Sequence, residues 1–448
     1  MTRIPRVVIS AERGKSGKTL FTTLLLRDLI QRGIGVSPFK VGPDFIDPMH
    51  HAAACGVPSR NLDEFLMGME GVKCRLHRHA EGVAVIEGVM GLYDSMDGVS
   101  DVGSTAKVAR ETGTPVILVL NGDRINRGLA AVLRGFKEFG EGVEIAGVAL
   151  TNVTERQAEK VEKALAGEGV PLVGVVPRSG EAERDFRYRH LGLVTTAEGG
   201  GGFGYDHWID VDAIIRIAES APPLEDPPEC DEGGIERTGV RVGVIIDEAF
   251  SFYYPETLEE IGRAAGSVSY INSMKSGGLG SVDALIIGGG FPEEHADAIS
   301  RNKPLLSDIR RFSEEGGFIY AECGGLMLLS SVVETLSNEE YDMSGAIDAY
   351  AAMLSRPAGH GYAEAEAIAD TPMFRRGRVV RGHEFHHSRL ILREPVDFYL
   401  KLRRGSGING FDGVRKHNTY AQYTHLHPYG VHAIGAALAE LAGRKNLS

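Results

Sequence analysis

A lone cysteine in the run Gly317-Phe-Ile-Tyr-Ala-Glu-Cys323-Gly324-Gly325-Leu-Met-Leu-Leu sits between a strand-like apolar stretch and a helix-like one. This is the layout of a nucleophile elbow. A sharp strand-to-helix turn projects the side chain into open space, the helix N-terminus favours a thiolate, and the following glycine lets the backbone offer an N–H to an oxyanion. A buried structural cysteine is the competing reading of Cys323. Gly288-Gly289-Gly290-Phe-Pro-Glu293 ends another strand and can add a backbone donor, so Gly290 and Gly324 are the oxyanion candidates. The run Thr419 to His427 offers His425 and His427, two residues apart on one strand face, and either could activate the thiol.

Far upstream, Ser10-Ala-Glu-Arg-Gly14-Lys15-Ser16-Gly17-Lys18-Thr19 leads from the first apolar strand into the helical run Leu20 to Leu29. Gly14, Ser16, Gly17, Lys18 and Thr19 supply a phosphate loop. Backbone N–H groups hold phosphate oxygens, Lys18 adds a point charge, and the Thr19 hydroxyl can ligate Mg2+. Glu12 stands where the usual pattern has its first glycine. Lys40-Val-Gly-Pro-Asp44-Phe-Ile-Asp47 leaves the second strand and Glu87-Gly-Val-Met-Gly-Leu-Tyr-Asp94 leaves the third. In an open parallel sheet these strand ends share one crevice, so Asp44, Asp47, Glu87 and Asp94 are candidate synthetase-site acids, with Thr19, Asp47 and Glu87 the candidates for a metal. Solvated loop acids are the bland alternative.

The elements that must carry these groups are legible. Strand candidates Arg6–Ser10, Val36–Lys40, Val83–Glu87, Pro115–Leu120, Ile145–Leu150 and Pro171–Val176 are nearly unbroken apolar runs separated by amphipathic segments, the pattern of a parallel sheet covered on both faces. An acidic, proline-rich stretch without apolar period spans 220–238 and reads as a linker between residues 1–219 and 239–448. Beyond it a second α/β series runs through Val240–Ile246, Ala284–Gly290, the Cys323 strand and Thr419–His427.

At 448 residues the chain has room for two such domains, and its net charge of −13 without a dense basic stretch excludes nucleic acid as the main partner. Absence of a long apolar run or signal-peptide core points to no membrane association and to the cytoplasm. Cys55, Cys74, Cys230 and Cys323 are scattered without a CxxC pair, which argues against a zinc ribbon and a disulfide framework. His383-Glu384-Phe-His-His387 satisfies the HExxH zinc pattern in letters, but it lacks the helical period that would place both histidines on one face.

The ordered blocks Ser16–Thr19, Pro38–Pro48, Arg60–Asp63, Glu87–Asp94, Arg189–Leu193, Asp247–Pro255, Gly288–Glu293, Ala321–Met327, Arg381–His386 and Tyr423–His427 resemble the CobB/CbiA group, the a,c-diamide synthases of tetrapyrrole biosynthesis, over nearly the whole chain. The resemblance implies a P-loop, dethiobiotin-synthetase-like ATP-dependent domain and a class I glutamine amidotransferase domain. It implies ATP and Mg2+ as cofactors, and L-glutamine and a tetrapyrrole polycarboxylate as small-molecule partners. Cys323 would release ammonia from glutamine, Lys18 and Thr19 would handle ATP and magnesium, and the four acids would act where a macrocycle carboxylate is activated as an acyl phosphate. The Tyr-x-His segment favours His425 as base, although His427-Pro428 fits other amidotransferases. Tyr429 occupies the place where a third acid often lies. Cobyrinate and nickel-sirohydrochlorin, precursors of cobalamin and of the methanogenic nickel cofactor, are both left open as substrates, one enzyme serving one or both. A cobyric-acid-type synthase and a ParA-like nucleotide switch with an inactive amidotransferase domain are the alternatives, and a homodimer is left open.

Overall fold

Strands buried on both faces need no polar alternation, and that is how the first half of the chain is built. A computed structural model describes residues 2–180, 188–189, 192–193, 205–227, 230 and 234–445. Two compact units, Met1–Cys230 and Asp231–Ser448, divide the chain. In the first, Arg6–Ala11 (β1), Val36–Val41 (β2), Arg60–Leu62 (β3), Val83–Glu87 (β4), Val116–Asn121 (β5), Ile145–Val153 (β6) and Leu172–Pro177 (β7) pair in parallel in the order β7-β6-β5-β1-β4-β2-β3. Every residue of β1, β2, β4 and β5 is buried, which explains their continuous apolar sequence. Two short strands, Tyr188–Arg189 (β8) and Gly192–Leu193 (β9), pair with each other, while Trp208–Ile209 (β10) closes the sheet edge antiparallel to β7. His190 and Leu191 of the Arg189–Leu193 block lie outside the described residues.

Because β1, β4 and β2 are neighbours, the loops at their carboxyl ends open side by side. Helix Lys18–Gln31 (α1) follows the first loop and buries Phe21, Leu24, Leu25 and Leu29. Ile46–Cys55 (α2) follows the second, and Glu64–His79 (α3) follows β3.

Arg6 is buried at the start of β1, and its guanidinium donates to the carbonyls of Ile4 (3.0 Å), Thr112 (3.1 Å) and Pro222 (2.7 Å). Thr2 and Leu224 exchange backbone hydrogen bonds. The first part of the proline-rich stretch is thereby fastened to the first unit. Cys230, at its end, forms a disulfide with Cys74 of α3, contrary to the expectation of no disulfide. The two are 156 residues apart in sequence, so the pairing arises from the path that Arg6 and Thr2 impose and leaves no local spacing signal. Parts of this stretch, residues 228–229 and 231–233, lie outside the described residues.

In the second unit, Arg241–Ile245 (β11), Ser267–Ile271 (β12), Ala284–Ile287 (β13) and Phe318–Glu322 (β14) are parallel. The sequence reading contains no strand between Cys323 and Thr419, yet eight lie there: Val332–Glu334 (β15), Glu340–Asp342 (β16), Ala349–Met353 (β17), Gly359–Ala367 (β18), Val379–His386 (β19), Ser388–Leu392 (β20), Asp397–Arg404 (β21) and Phe411–Lys416 (β22). With Thr419–Gln422 (β23) and His425–Leu426 (β24) they complete a sheet of order β12-β11-β13-β14-β23-β22-β21-β18-β19-β24 and a smaller one of order β16-β15-β17-β20. Of these, β18 mixes glycines and glutamates with alanines and β21 is rich in charges, and both are partly exposed, so no apolar run marks them. The HExxH letters fall largely in β19, a strand rather than a helix.

Trp208 is the chain's one tryptophan and lies in the first unit, so its fluorescence follows unfolding there. Arg6→Met leaves three carbonyls short of a donor and is expected to lower the stability of this unit by roughly 2–4 kcal/mol in a urea titration.

Candidate active sites

In the first unit a left-handed turn at Gly17 (φ 86°, ψ 19°) aims the chain into α1. A Cβ there would stand 3.1 Å from Thr151 Cγ2, so both conformation and space call for glycine. At Gly14 a Cβ would meet nothing within 4 Å. Glu12, in the place of the usual first glycine, ties the loop together: its Oε1 accepts from Ser16 Oγ at 3.0 Å and from the Asn121 backbone at 3.2 Å. Thr151 Oγ1 donates to Ser16 O at 2.6 Å from the far side.

Thr19, Asp47 and Glu87 come together. Thr19 Oγ1 donates to Glu87 Oε1 at 2.9 Å and to Asp47 Oδ1 at 3.2 Å. Sequence reasoning gave Lys40 and His51 no role, yet they hold this cluster. Lys40 Nζ lies 2.6 Å from Asp47 Oδ2 and 3.2 Å from Glu87 Oε1, and His51 Nε2 is 2.6 Å from Glu87 Oε2, with Ser59 Oγ 2.9 Å from its other nitrogen. A carboxylate at the buried end of β4 needs a cation, and that need was the available signal. Burial opposes ionisation of Glu87, but Lys40 and the His51 hydrogen bond hold it below its ordinary value. Burial likewise opposes the charge on Lys40, and Asp47 and Glu87 outweigh it.

Lys18 donates to Met90 O, and burial, then the Lys40 charge, lower it to about 8. Asp44 Oδ1 accepts from Ile46 N, at the first residue of α2, at 2.8 Å. Burial and the neighbouring Asp47 push Asp44 up to about 7. Asp94 takes a different place, accepting from Gly91 N at 2.7 Å in the turn after β4, whose Leu92 N–H donates to Ala11 O at the end of β1.

In the second unit Cys323 follows β14 directly and has φ 49° and ψ −104°, a strained backbone for a side chain-bearing residue. The helix after it, Gly324–Leu329, is only six residues long, so its dipole gives the sulfur less support than the sequence layout suggests. A Cβ on Gly324 would lie 3.0 Å from Gly290 N, so the two oxyanion candidates are in contact. At Gly289 a Cβ would stand 2.4 Å from His425 Cε1 and 3.3 Å from Cys323 Cβ; only glycine lets ring and elbow meet.

The two histidines separate. The chain leaves β23 at Gln422, and the fully buried Asp412 carboxylate accepts from Tyr423 N (2.9 Å), Thr424 N (2.9 Å) and Thr424 Oγ1 (2.7 Å). That grip delivers His425 into register opposite His383 of β19, where the rings stack at 4.9 Å. The His425 ring lies against the elbow across Gly289; burial disfavours its charge, but the cysteine and Glu322 raise it to about 10. His427 instead accepts from Tyr429 N at 3.1 Å, lies 4.7 Å from the Tyr254 ring centroid and faces Glu256 at 3.8 Å. Glu322 is a site neighbour that sequence reasoning left without a role.

Residues 7–189 match the CobQ/CobB/MinD/ParA nucleotide binding domain, and residues 241–430 match the CobB/CobQ-like glutamine amidotransferase domain. A protein of Archaeoglobus fulgidus named cobyrinate a,c-diamide synthase is 42% identical over 437 residues, covering 95% of this chain and 94% of that protein. Proteins of the same name from Methanosarcina barkeri and Listeria monocytogenes are each 36% identical, over 98% and 95% of this chain and 96% of each relative.

Asp44 makes a pH prediction. Its folded value near 7 lies above the ordinary carboxylate range, so between about pH 4 and 7 the folded state holds a proton that the unfolded state releases. Its contribution to stability therefore falls as pH rises through that window. Asn at this position keeps an acceptor for Ile46 N. The stability difference between Asp44→Asn and wild type, followed by Trp208 fluorescence in urea, is expected to grow in the variant's favour from pH 4.5 to 7.

Proposed function

Because the chain belongs to the cobyrinate a,c-diamide synthase family and is a glutamine-dependent amide-forming ligase, we propose that it converts the a and c carboxylates of cobyrinate to amides, using ATP in its first unit and glutamine in its second. The observation that carries this reading is the Cys323 elbow with His425 against it. On the same reading the reaction takes place in the cytoplasm.

In the second unit His425 takes the Cys323 proton, and the thiolate attacks the glutamine carboxamide carbon. Backbone N–H groups of Gly290 and Gly324 receive the oxyanion. Collapse expels ammonia with the proton returned by His425, and water hydrolyses the resulting thioester to glutamate. His425, rather than His427, is the base in this reading, because His427 is engaged by its own turn.

In the first unit Gly17, Lys18 and Thr19 bind the ATP phosphates. A macrocycle carboxylate oxygen takes the γ-phosphoryl group, giving an acyl phosphate and ADP. Ammonia then attacks the acyl carbon and inorganic phosphate leaves. The Thr19 hydroxyl with the Asp47 and Glu87 carboxylates is a hard-oxygen donor set that fits Mg2+, and the Lys40 ammonium between the two acids marks the place as one built for positive charge. Bound there, the ion would neutralise charge on the transferring phosphoryl group. Asp44 and Asp94 complete the acids of the synthetase site in this reading.

The purified chain with ATP, Mg2+ and glutamine is expected to amidate cobyrinate twice, each OH-to-NH2 exchange being read by mass; nickel-sirohydrochlorin run in parallel reports whether the site also takes the nickel macrocycle. Absence of amidation on cobyrinate sinks the proposal. Cys323→Ser should abolish glutamine-driven synthesis while synthesis from added ammonia persists, whereas Lys18→Ala should slow both by about 10²-fold or more. Full use of glutamine by the Cys323 variant would remove the elbow from the reaction.

A further inference from the structure

The histidine of a thiol nucleophile works best when its far nitrogen is held by an acid, which fixes the ring and stabilises the imidazolium. Tyr429 occupies the position after His-Pro where such an acid often lies, and its N–H donates to His427 rather than to His425. Another carboxylate approaches the base from a different direction. We propose that Glu322, the residue immediately before the nucleophile, is the positioning acid for His425: its Oε2 lies 3.4 Å from His425 Nδ1.

The placement follows from the elbow. Alternation along β14 puts Glu322 on the face of Tyr320, and the turn at Cys323 then carries the sulfur off the strand path. The two consecutive side chains reach His425 from different sides. At Gly289 a Cβ would stand 3.2 Å from His425 Nε2 and 3.3 Å from Cys323 Cβ, so the Nε2 edge of the ring faces the cysteine while Nδ1 faces Glu322.

The carboxylate is itself held. Its Oε1 accepts from Tyr320 Oη at 2.6 Å and from Leu426 N at 3.2 Å. Tyr320 Oη accepts in turn from Gln422 Nε2 at 3.3 Å, and Gln422 Oε1 accepts from Tyr399 Oη at 2.8 Å. Oε1 is thus committed to the scaffold, and Oε2 is turned to the ring. Since Leu426 follows His425 in sequence, one carboxylate grips both the backbone and the imidazole of the same segment. The separation of 3.4 Å is long for a finished hydrogen bond and suits a site that tightens on its substrate.

Other charges near the ring do not substitute for it. His425 is faced by Cys323 and Glu322 from the elbow and by His383, Glu384 and His386 from β19. Glu384 is occupied by Ser406 N at 2.7 Å and Gly407 N at 2.8 Å. Burial and the neighbouring His425 hold His383 well below its ordinary value, so it stays neutral beside the imidazolium.

This assignment rests on the reading that Cys323 hydrolyses glutamine. The test is the pH profile of glutamate release by the full chain, wild type against Glu322→Gln, with folding checked by thermal unfolding. Glutamine at 322 keeps an acceptor for Tyr320 and Leu426 but removes the charge. The expected result is a kcat at least about tenfold lower, a KM for glutamine within about twofold, and an alkaline limb of kcat/KM, where the imidazolium proton is lost, moved down by about one pH unit or more. An alkaline limb left in place overturns the assignment whether or not kcat falls, because a lower kcat alone marks a scaffold role. If Glu322→Gln does not fold, Tyr320→Phe, which takes one hydrogen-bond donor from the carboxylate and leaves it more basic, carries the test: an alkaline limb that moves up supports the assignment and a limb that is unmoved or moves down overturns it. A wild-type chain that releases no glutamate overturns both readings, whereas an active wild type with an unmoved variant limb overturns this one alone.

Discussion

A charge taken out of water must be paired, and both sites of this chain are organised by that constraint. Glu87, fully buried at the end of β4, is the clearest case. Left alone it would cost several kcal/mol; surrounded by Lys40, His51 and Thr19 it stays ionised at the heart of the first site. The second site repeats the pattern with a buried thiol and His425. Strands buried on both faces supply dry strand ends, and dryness is what makes each pairing strong.

Pairing also decides what each site can exchange. Lys40 bridges Asp47 and Glu87 as an internal cation, so the acids are compatible with one another before any ion arrives. Asp44 has weaker compensation: Lys40 is beside it, but burial and Asp47 dominate, and it remains largely protonated at mildly acidic pH. A neutral carboxyl next to charged ones can donate a hydrogen bond to an anionic group where a third carboxylate would repel it. Two acids three residues apart in sequence therefore have different electrostatic roles.

Much of this was legible in the sequence, and the rest was hidden for identifiable reasons. Unbroken apolar runs marked the parallel strands, and the loops after them carried Lys18, Thr19, Asp47 and Glu87 to one place as the strand order requires. Strands Gly359–Ala367 through Phe411–Lys416 were missed because their buried and exposed positions are mixed with glycines and charges. The choice between His425 and His427 could not come from spacing, since both share one strand face in an extended reading. It depends on Asp412, whose grip on Tyr423 and Thr424 breaks the strand and resets the register against β19. The Cys74–Cys230 pair and the role of Lys40 depend similarly on chain paths that no local window contains.

Glu322 escaped notice for a further reason: an acid next to a nucleophilic cysteine looks unfavourable on paper. Two adjacent negative groups repel, and a carboxylate beside a thiolate would work against it if nothing stood between them. The elbow changes the sign of that argument. By turning the chain at Cys323 it lets the ring of His425 stand between sulfur and carboxylate. In the proposed reaction a thiolate and the carboxylate would then each stabilise the imidazolium, and the imidazolium would stabilise both. The same carboxylate that would hinder a bare thiolate thus becomes a support for the ion pair, provided that the backbone at Cys323 keeps its strained conformation and Gly289 leaves room for the ring.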